Sequence, residues 1–181
     1  MTPAMPPSQS QSSASASASA ATAALAEAAN PTQAPARLDH AGIAARVPHA
    51  GRMCLLDSLV GWSAEHIHCT ATGHADPAHP LRSPGGLLAP CAIEYAGQAM
   101  ALHGSLCAAP GGVPRAGFLA SARSVVLHTA RLDTAPGPLH VKATRLAGDG
   151  QQAMYRFSLA DAAGGLLVEG RATVVLDGLP G

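Results

Sequence analysis

Aromatic side chains are scarce in this chain: two Phe, two Tyr and one Trp, 3% of the residues. Charge is scarce too, at 12%, and its eleven basic and eleven acidic residues cancel. A neutral, sparsely charged chain has no net field to draw it to nucleic acid or an anionic membrane. The four cysteines, Cys54, Cys69, Cys91 and Cys107, form no C-x-x-C pair, which argues against a zinc finger or a redox motif. Each sits in an apolar run and reads as a small buried hydrophobe, so the expected compartment is reducing and cytoplasmic. No basic n-region precedes an apolar core, because the first basic residue is Arg37, so a signal peptide is not expected. No apolar run is long enough to span a membrane, since the nearest is broken by Glu94, Gln98 and His103. Repeats of 20–50 residues are missing. Ser105 and Ser121 lack a nucleophile elbow. "PGGVPRAG" lacks the Lys-Ser/Thr end of a phosphate loop.

What is present is apolar residues, at 48%, with much Ala and Gly. Residues 1–36 are Ser, Ala, Pro and Gln with no bulky apolar periodicity. Such a stretch cannot offset its ordering entropy, so a disordered tail is expected before a domain at 37–181. "RMCLLDSLVGW" (52–62) reads as a strand. "EHIHCTAT" (65–72) alternates, with Ile67, Cys69 and Ala71 on one face and His66, His68 and Thr70 on the other, the mark of a half-buried strand. The Pro- and Gly-rich stretch 73–86 reads as a loop. A helix follows from Pro90 to about Cys107, with Ile93, Gly97, Met100 and Gly104 recurring at helical spacing and Ala96 and Ala101 filling the same side. Four strands then follow, at 117–129, 138–148, 151–161 and 165–176, separated by turn residues, so antiparallel hairpins are expected. Two strands, one long helix and four strands fit a curved antiparallel sheet wrapped around the helix, an α+β hotdog fold that pairs with another such unit.

Glu94 is the only charged side chain, histidine aside, between Arg82 and Arg115. A carboxylate at a helix start is favoured by the helix dipole alone. Its apolar neighbours, and Gln98 one turn later on the same face, point instead to an oriented acid or base. A histidine could partner it. His79, held extended by Pro80, is the first candidate, with His74, His49 and His103 as alternatives. Backbone N–H groups at the helix start, around Leu88 and Ala89, are natural donors to an oxyanion, and Gly85 and Gly86 would permit close approach. His66 and His68 share a strand face but lack a third ligand, so no metal site is expected.

The stretches "VPHAGRMCLLDSLVGW", "HPLRSPGGLLAPCAIEYAGQAMALHG", "GFLASARSVVLH" and "GRATVVL" resemble the hotdog-fold 3-hydroxyacyl-acyl-carrier-protein dehydratases predicted in aryl-polyene and xanthomonadin-type pigment clusters. More distantly, they resemble the dehydratases of fatty-acid synthesis. The resemblance implies that His79 and Glu94 are catalytic, with Gln98, Ala89 and Gly86 orienting the substrate. It implies a dimer, of like chains or with a second hotdog protein, in which histidine and acid come from different subunits. It also implies an acyl carrier protein presenting the substrate on phosphopantetheine, with no further cofactor and no metal. A basic docking face for that carrier could involve Arg115, Arg123 and Arg131. Two other functions stay open: a non-catalytic partner subunit of a heteromeric dehydratase, and a hotdog acyl thioesterase.

Overall fold

The structure, a computed structural model, describes residues 37–108 and 117–176; the expected tail and Arg115 lie outside them. Asp39 caps a short helix, α1 (His40–Ala44), by accepting the Gly42 N–H at 2.8 Å. Leu38 just before it bridges to Leu59. A single 3-10 turn (Gly51–Met53) leads to β1 (Ser58–Trp62). The expected strand over 52–62 therefore forms only in its second half. Cys54, Leu55 and Leu56 are buried without sheet pairing, because an apolar run reports burial and not hydrogen-bond partners.

β2 (His66–Ala71) follows the turn, and its odd-numbered residues Ile67, Cys69 and Ala71 are buried. After the long loop, Pro90 lies in a 3-10 turn (Ala89–Cys91) that runs into α2 (Ala92–Cys107). A proline costs little there, since its missing N–H falls among the unpaired first-turn donors. The remaining strands are β3 (Gly117–Leu127), β4 (Leu139–Gly148), β5 (Gln152–Ala160) and β6 (Leu166–Leu176). They make one antiparallel sheet in the order β1-β2-β4-β5-β6-β3. Register shifts interrupt four of its five strand pairings, and such bulges add bend and twist. The sheet packs on α2 chiefly through β2, β4 and β5, as expected for a hotdog unit. No helix among the described residues is long and apolar enough to cross a membrane.

The residues that share a side at helical spacing on α2 are not equally buried. Its buried residues include Tyr95, Ala96, Gln98, Ala99, Met100, Leu102 and His103, while Ile93, Gly97 and Ala101 are half-buried and Gly104 is exposed. A Cβ built on Gly97 or Gly104 would meet nothing within 4 Å. The bulky residues decide which side faces the sheet, and a pattern of Ala and Gly carries little directional information. A stripe of small residues running through Gly97, Ala101 and Gly104 is thus left open beside Glu94.

The entry to α2 is anchored by one carboxylate. Asp133, with its side chain only 3% exposed, lies 2.9 Å from Arg82 and 2.6 Å from Arg131 and also accepts the Leu87 N–H. These donors hold its carboxyl well below the usual carboxylate range, the Arg131 hydrogen bond contributing most. Leu132 N–H donates to Leu87 C=O at 2.8 Å and Ala89 N–H to Ala130 C=O at 3.0 Å, so residues 87–89 form a short ladder with 130–132. Gly86 has φ +99, and a Cβ there would lie 2.5 Å from the Arg131 guanidinium; only glycine fits both demands.

Because the folded state depresses the Asp133 pKa, the stability it supplies is complete above its ordinary value of 3.8 and is lost as pH falls through the folded value. Asp133→Asn should lower the midpoint of thermal unfolding at pH 7 by roughly 5–10 °C. The gap from wild type should narrow progressively from about pH 4 to pH 2. Thermal melts across that range check it; a gap that stays constant with pH would mean that the loss comes from packing and not from charge.

Candidate active site

Gln98 is completely buried one turn after Glu94, and its amide is fully used. Its Oε1 accepts the Leu55 N–H at 2.8 Å, while its Nε2 donates to Met53 C=O at 2.7 Å and to Glu94 Oε1 at 3.0 Å. The Leu55 donor fixes which end of the amide is oxygen. The second Nε2–H must then point at the Glu94 carboxylate.

Glu94 Oε1 is also met by His49 Nε2 at 3.0 Å, with the two side chains 27% and 36% exposed. Both contacts fall on Oε1. Oε2 has no hydrogen-bond partner among the described residues. His49 arrives from the segment after α1, where Val47 is buried and its N–H donates to Ile43 C=O at 3.2 Å. The carboxylate is therefore anchored through one oxygen and open through the other, on the half-open stripe of α2.

His79 is placed elsewhere. It is nearly buried, its Nδ1 accepts the Leu81 N–H at 3.2 Å, and its Nε2 lies 2.9 Å from Tyr95 Oη with the two rings stacked. With Nδ1 accepting, the neutral ring carries its proton on Nε2 and donates it to Tyr95. Burial lowers the His79 pKa, only partly opposed by Asp76, and it raises that of Tyr95. No hydrogen bond joins His79 to Glu94 within the chain. Tyr95 follows Glu94 by one position, about 100° around the helix, so the two candidate residues address different sides of α2.

The other histidines are spoken for. His74 is buried and hydrogen-bonded through Nε2 to Ala135 C=O at 3.1 Å. His103, expected near the active face, is fully buried between Ser63 C=O at 2.8 Å and Tyr155 Oη at 3.0 Å. Burial pushes the Tyr155 hydroxyl up to about 12. His68 pairs with His140 at 2.9 Å.

At the helix start the expected oxyanion donors are partly committed. Ala89 N–H is spent on Ala130 C=O, and Gly86 N–H donates to Ser83 C=O at 2.9 Å. Leu88, in the non-hydrogen-bonded position of its bridge to Arg131, does not spend its N–H in that ladder and turns it to the Cys91 sulfur, a weak acceptor. Farther along the open face of α2, Met100, Ala101, Gly104 and Ser105 line a cavity of about 270 Å³ that Tyr155 and Arg145 also border. Sequence reasoning weighed His49 only as an alternative and did not single out Tyr95. The Val47-Pro48-His49 stretch carried the one available signal, and its approach to α2 is a long-range contact that no local spacing encodes.

A family model described as "ApeP-like: ApeP dehydratase" matches residues 41–177. Among solved structures, the dehydratase heterocomplex ApeI:P from Xenorhabdus doucetiae matches with a TM-score of 0.64 at 22% identity, over 75% of this chain and 91% of that one. A thioesterase from Haemophilus influenzae matches with a TM-score of 0.51 at 16% identity, over 68% of this chain and 79% of that one. A mutant thioesterase from Pseudomonas aeruginosa gives 0.52 at 14%, over 67% and 81%. These structures share the hotdog fold with the chain. No curated protein matches it in sequence.

Proposed function

The chain belongs to the ApeP-like dehydratase family, and on that premise we propose that it removes water from a 3-hydroxyacyl group held as a thioester on a carrier protein. The product is the trans-2-enoyl thioester, in the assembly of a polyene pigment or a fatty-acid-like chain. The observation that carries this reading is Glu94: its Oε1 is anchored by two nitrogens, its Oε2 has no partner among the described residues, and the next turns on its side of α2 carry the small residues Gly97, Ala101 and Gly104. An acid held this way can protonate a leaving hydroxyl.

In the proposed reaction a base takes the C2 proton, the C3–O bond breaks, and Glu94 Oε2 gives its proton to the departing hydroxyl, which leaves as water. The thioester oxygen gains negative charge meanwhile, and the proposed backbone donor is the Leu88 N–H, held in this structure only by the weakly accepting Cys91 sulfur. His79 is the proposed base, acting across a subunit interface from the Glu94 it serves. To do so it must give up both contacts: its proton moves to Nδ1 in place of the Leu81 N–H bond, and the Nε2 lone pair, released from Tyr95, turns to the substrate. The cavity begins at Met100, six residues or about 9 Å along α2 from Glu94, and suits an acyl tail. The occupied nitrogens of His79 also favour a composite site completed by a second hotdog protein, and the heteromeric neighbour from Xenorhabdus doucetiae supports such a partner.

A carrier protein is acidic, and the outer face of the sheet offers it a counterpart. Arg123 is opposite Arg171 in the β3–β6 register, and Arg171 is opposite Arg156 in the β5–β6 register. All three are exposed. Like charges directly opposite are unfavourable unless an anionic partner offsets them. Arg131, by contrast, is engaged by Asp133.

The test is mass spectrometry of water loss from a 3-hydroxyacyl carrier protein, with this chain alone and together with the second hotdog protein. Glu94→Gln should slow water loss by about 10²- to 10⁴-fold. Full activity of that variant within the pair would leave this chain as a stabilising partner only, and release of free acid would favour a thioesterase. Arg156→Glu with Arg171→Glu should slow turnover of the carrier-bound substrate by on the order of tenfold at low salt and leave a pantetheine-bound substrate untouched. Equal loss on both substrates would remove the arginine row from docking.

A further inference from the structure

Glu94 Oε1 receives two contacts, and the source of each decides where an acid proton can sit. Gln98 Nε2 is unambiguously a donor there, because its amide is oriented by the Leu55 N–H and Met53 C=O. His49 Nε2, 3.0 Å away, is either a donor or an acceptor. Its Nδ1 decides the matter, being buried with no partner. With the proton on Nε2, His49 donates to Oε1 and buries only a bare lone pair at Nδ1. With the proton on Nδ1, the ring buries an unsatisfied N–H and turns a lone pair toward Oε1. Orphaned N–H donors are the rarer and costlier fault, so the Nε2–H tautomer is the consistent one.

Oε1 then accepts two N–H bonds, which a carboxylate oxygen satisfies with both lone pairs. A proton taken up by Glu94 has its place on Oε2. We propose that His49 is a positioning residue of this site: with Gln98 it saturates Oε1 and so confines the exchangeable proton of Glu94 to Oε2, the oxygen with no partner among the described residues. This inference rests on the dehydratase reading for its chemistry, since Oε2 is the atom that gives its proton to the departing hydroxyl. Its structural half stands without that reading.

Two measurements on the full-length protein test it. In ¹⁵N-labelled protein the imidazole signals of His49, assigned by their loss in His49→Gln, should show the Nε2–H tautomer at neutral pH and should shift in Glu94→Ala. An Nδ1–H tautomer, or indifference to Glu94→Ala, overturns the proposal whether or not the protein is a dehydratase. In turnover with the second hotdog protein, His49→Gln keeps a side-chain N–H donor and should hold kcat within about fivefold. His49→Ala should lower kcat by on the order of 10- to 100-fold with KM little changed. Undiminished activity in His49→Ala overturns the proposal, and so does a Gln variant as slow as the Ala variant. If the wild-type pair forms no enoyl product, it is the functional reading that fails, and the imidazole signals alone decide the proposal.

Discussion

The buried amide of Gln98 is the interaction on which the rest of the site depends. Burying a primary amide is costly unless every donor and acceptor is matched, and here all are: Leu55 N–H, Met53 C=O and Glu94 Oε1. Met53 and Leu55 lie in a segment with no strand partner, so Gln98 substitutes for the ladder that β1 does not extend to them. The same amide leaves the carboxylate no freedom in how it presents itself. A single helix residue thus ties the irregular segment 53–55 to α2 and aims Glu94 at the open face.

A second constraint operates one turn earlier. Asp133 gathers Arg82, Arg131 and the Leu87 N–H, and the ladder between 87–89 and 130–132 turns the last residues of the long loop into part of the scaffold. That ladder consumes the Ala89 N–H and spares that of Leu88. The rigidity of the helix start follows from these hydrogen bonds, and so does the release of the Leu88 N–H from the backbone ladder, which leaves it only the Cys91 sulfur. Small residues complete the arrangement, since Gly97 and Gly104 keep the helix surface beside Glu94 low enough to admit a ligand.

Much of this architecture was legible in the amino-acid sequence, where side-chain size alternates or recurs with a bulky member. Ile67, Cys69 and Ala71 announced the inner face of β2, and Pro90 marked where the helix begins. Legibility was weakest where the residues were small, as on α2, where Ala96 and Met100 are buried but Gly97, Ala101 and Gly104 at the same helical spacing are not, and Tyr95, Leu102 and His103 set the inner side. It failed for Cys54–Leu56, whose burial says nothing about pairing. Glu94 and Gln98 stood out because they interrupt an apolar helix one turn apart. The nearness of His49 to Glu94, and of His79 to Tyr95, depends on how the segments before β1 and before α2 fold back on the helix. Spacing along the chain holds no record of either.

The account turns on Glu94 presenting Oε2 to the reacting hydroxyl. The most direct measurement is a crystal structure of the chain with its hotdog partner and a 3-hydroxyacyl-pantetheine amide, a mimic of the thioester that is not hydrolysed. It should place the 3-hydroxyl within hydrogen-bond distance of Glu94 Oε2, with Oε1 still held by Gln98 and His49 and the acyl tail lying over Gly97 and Ala101. A mimic whose hydroxyl meets Oε1, or which binds away from Glu94 altogether, would contradict the account.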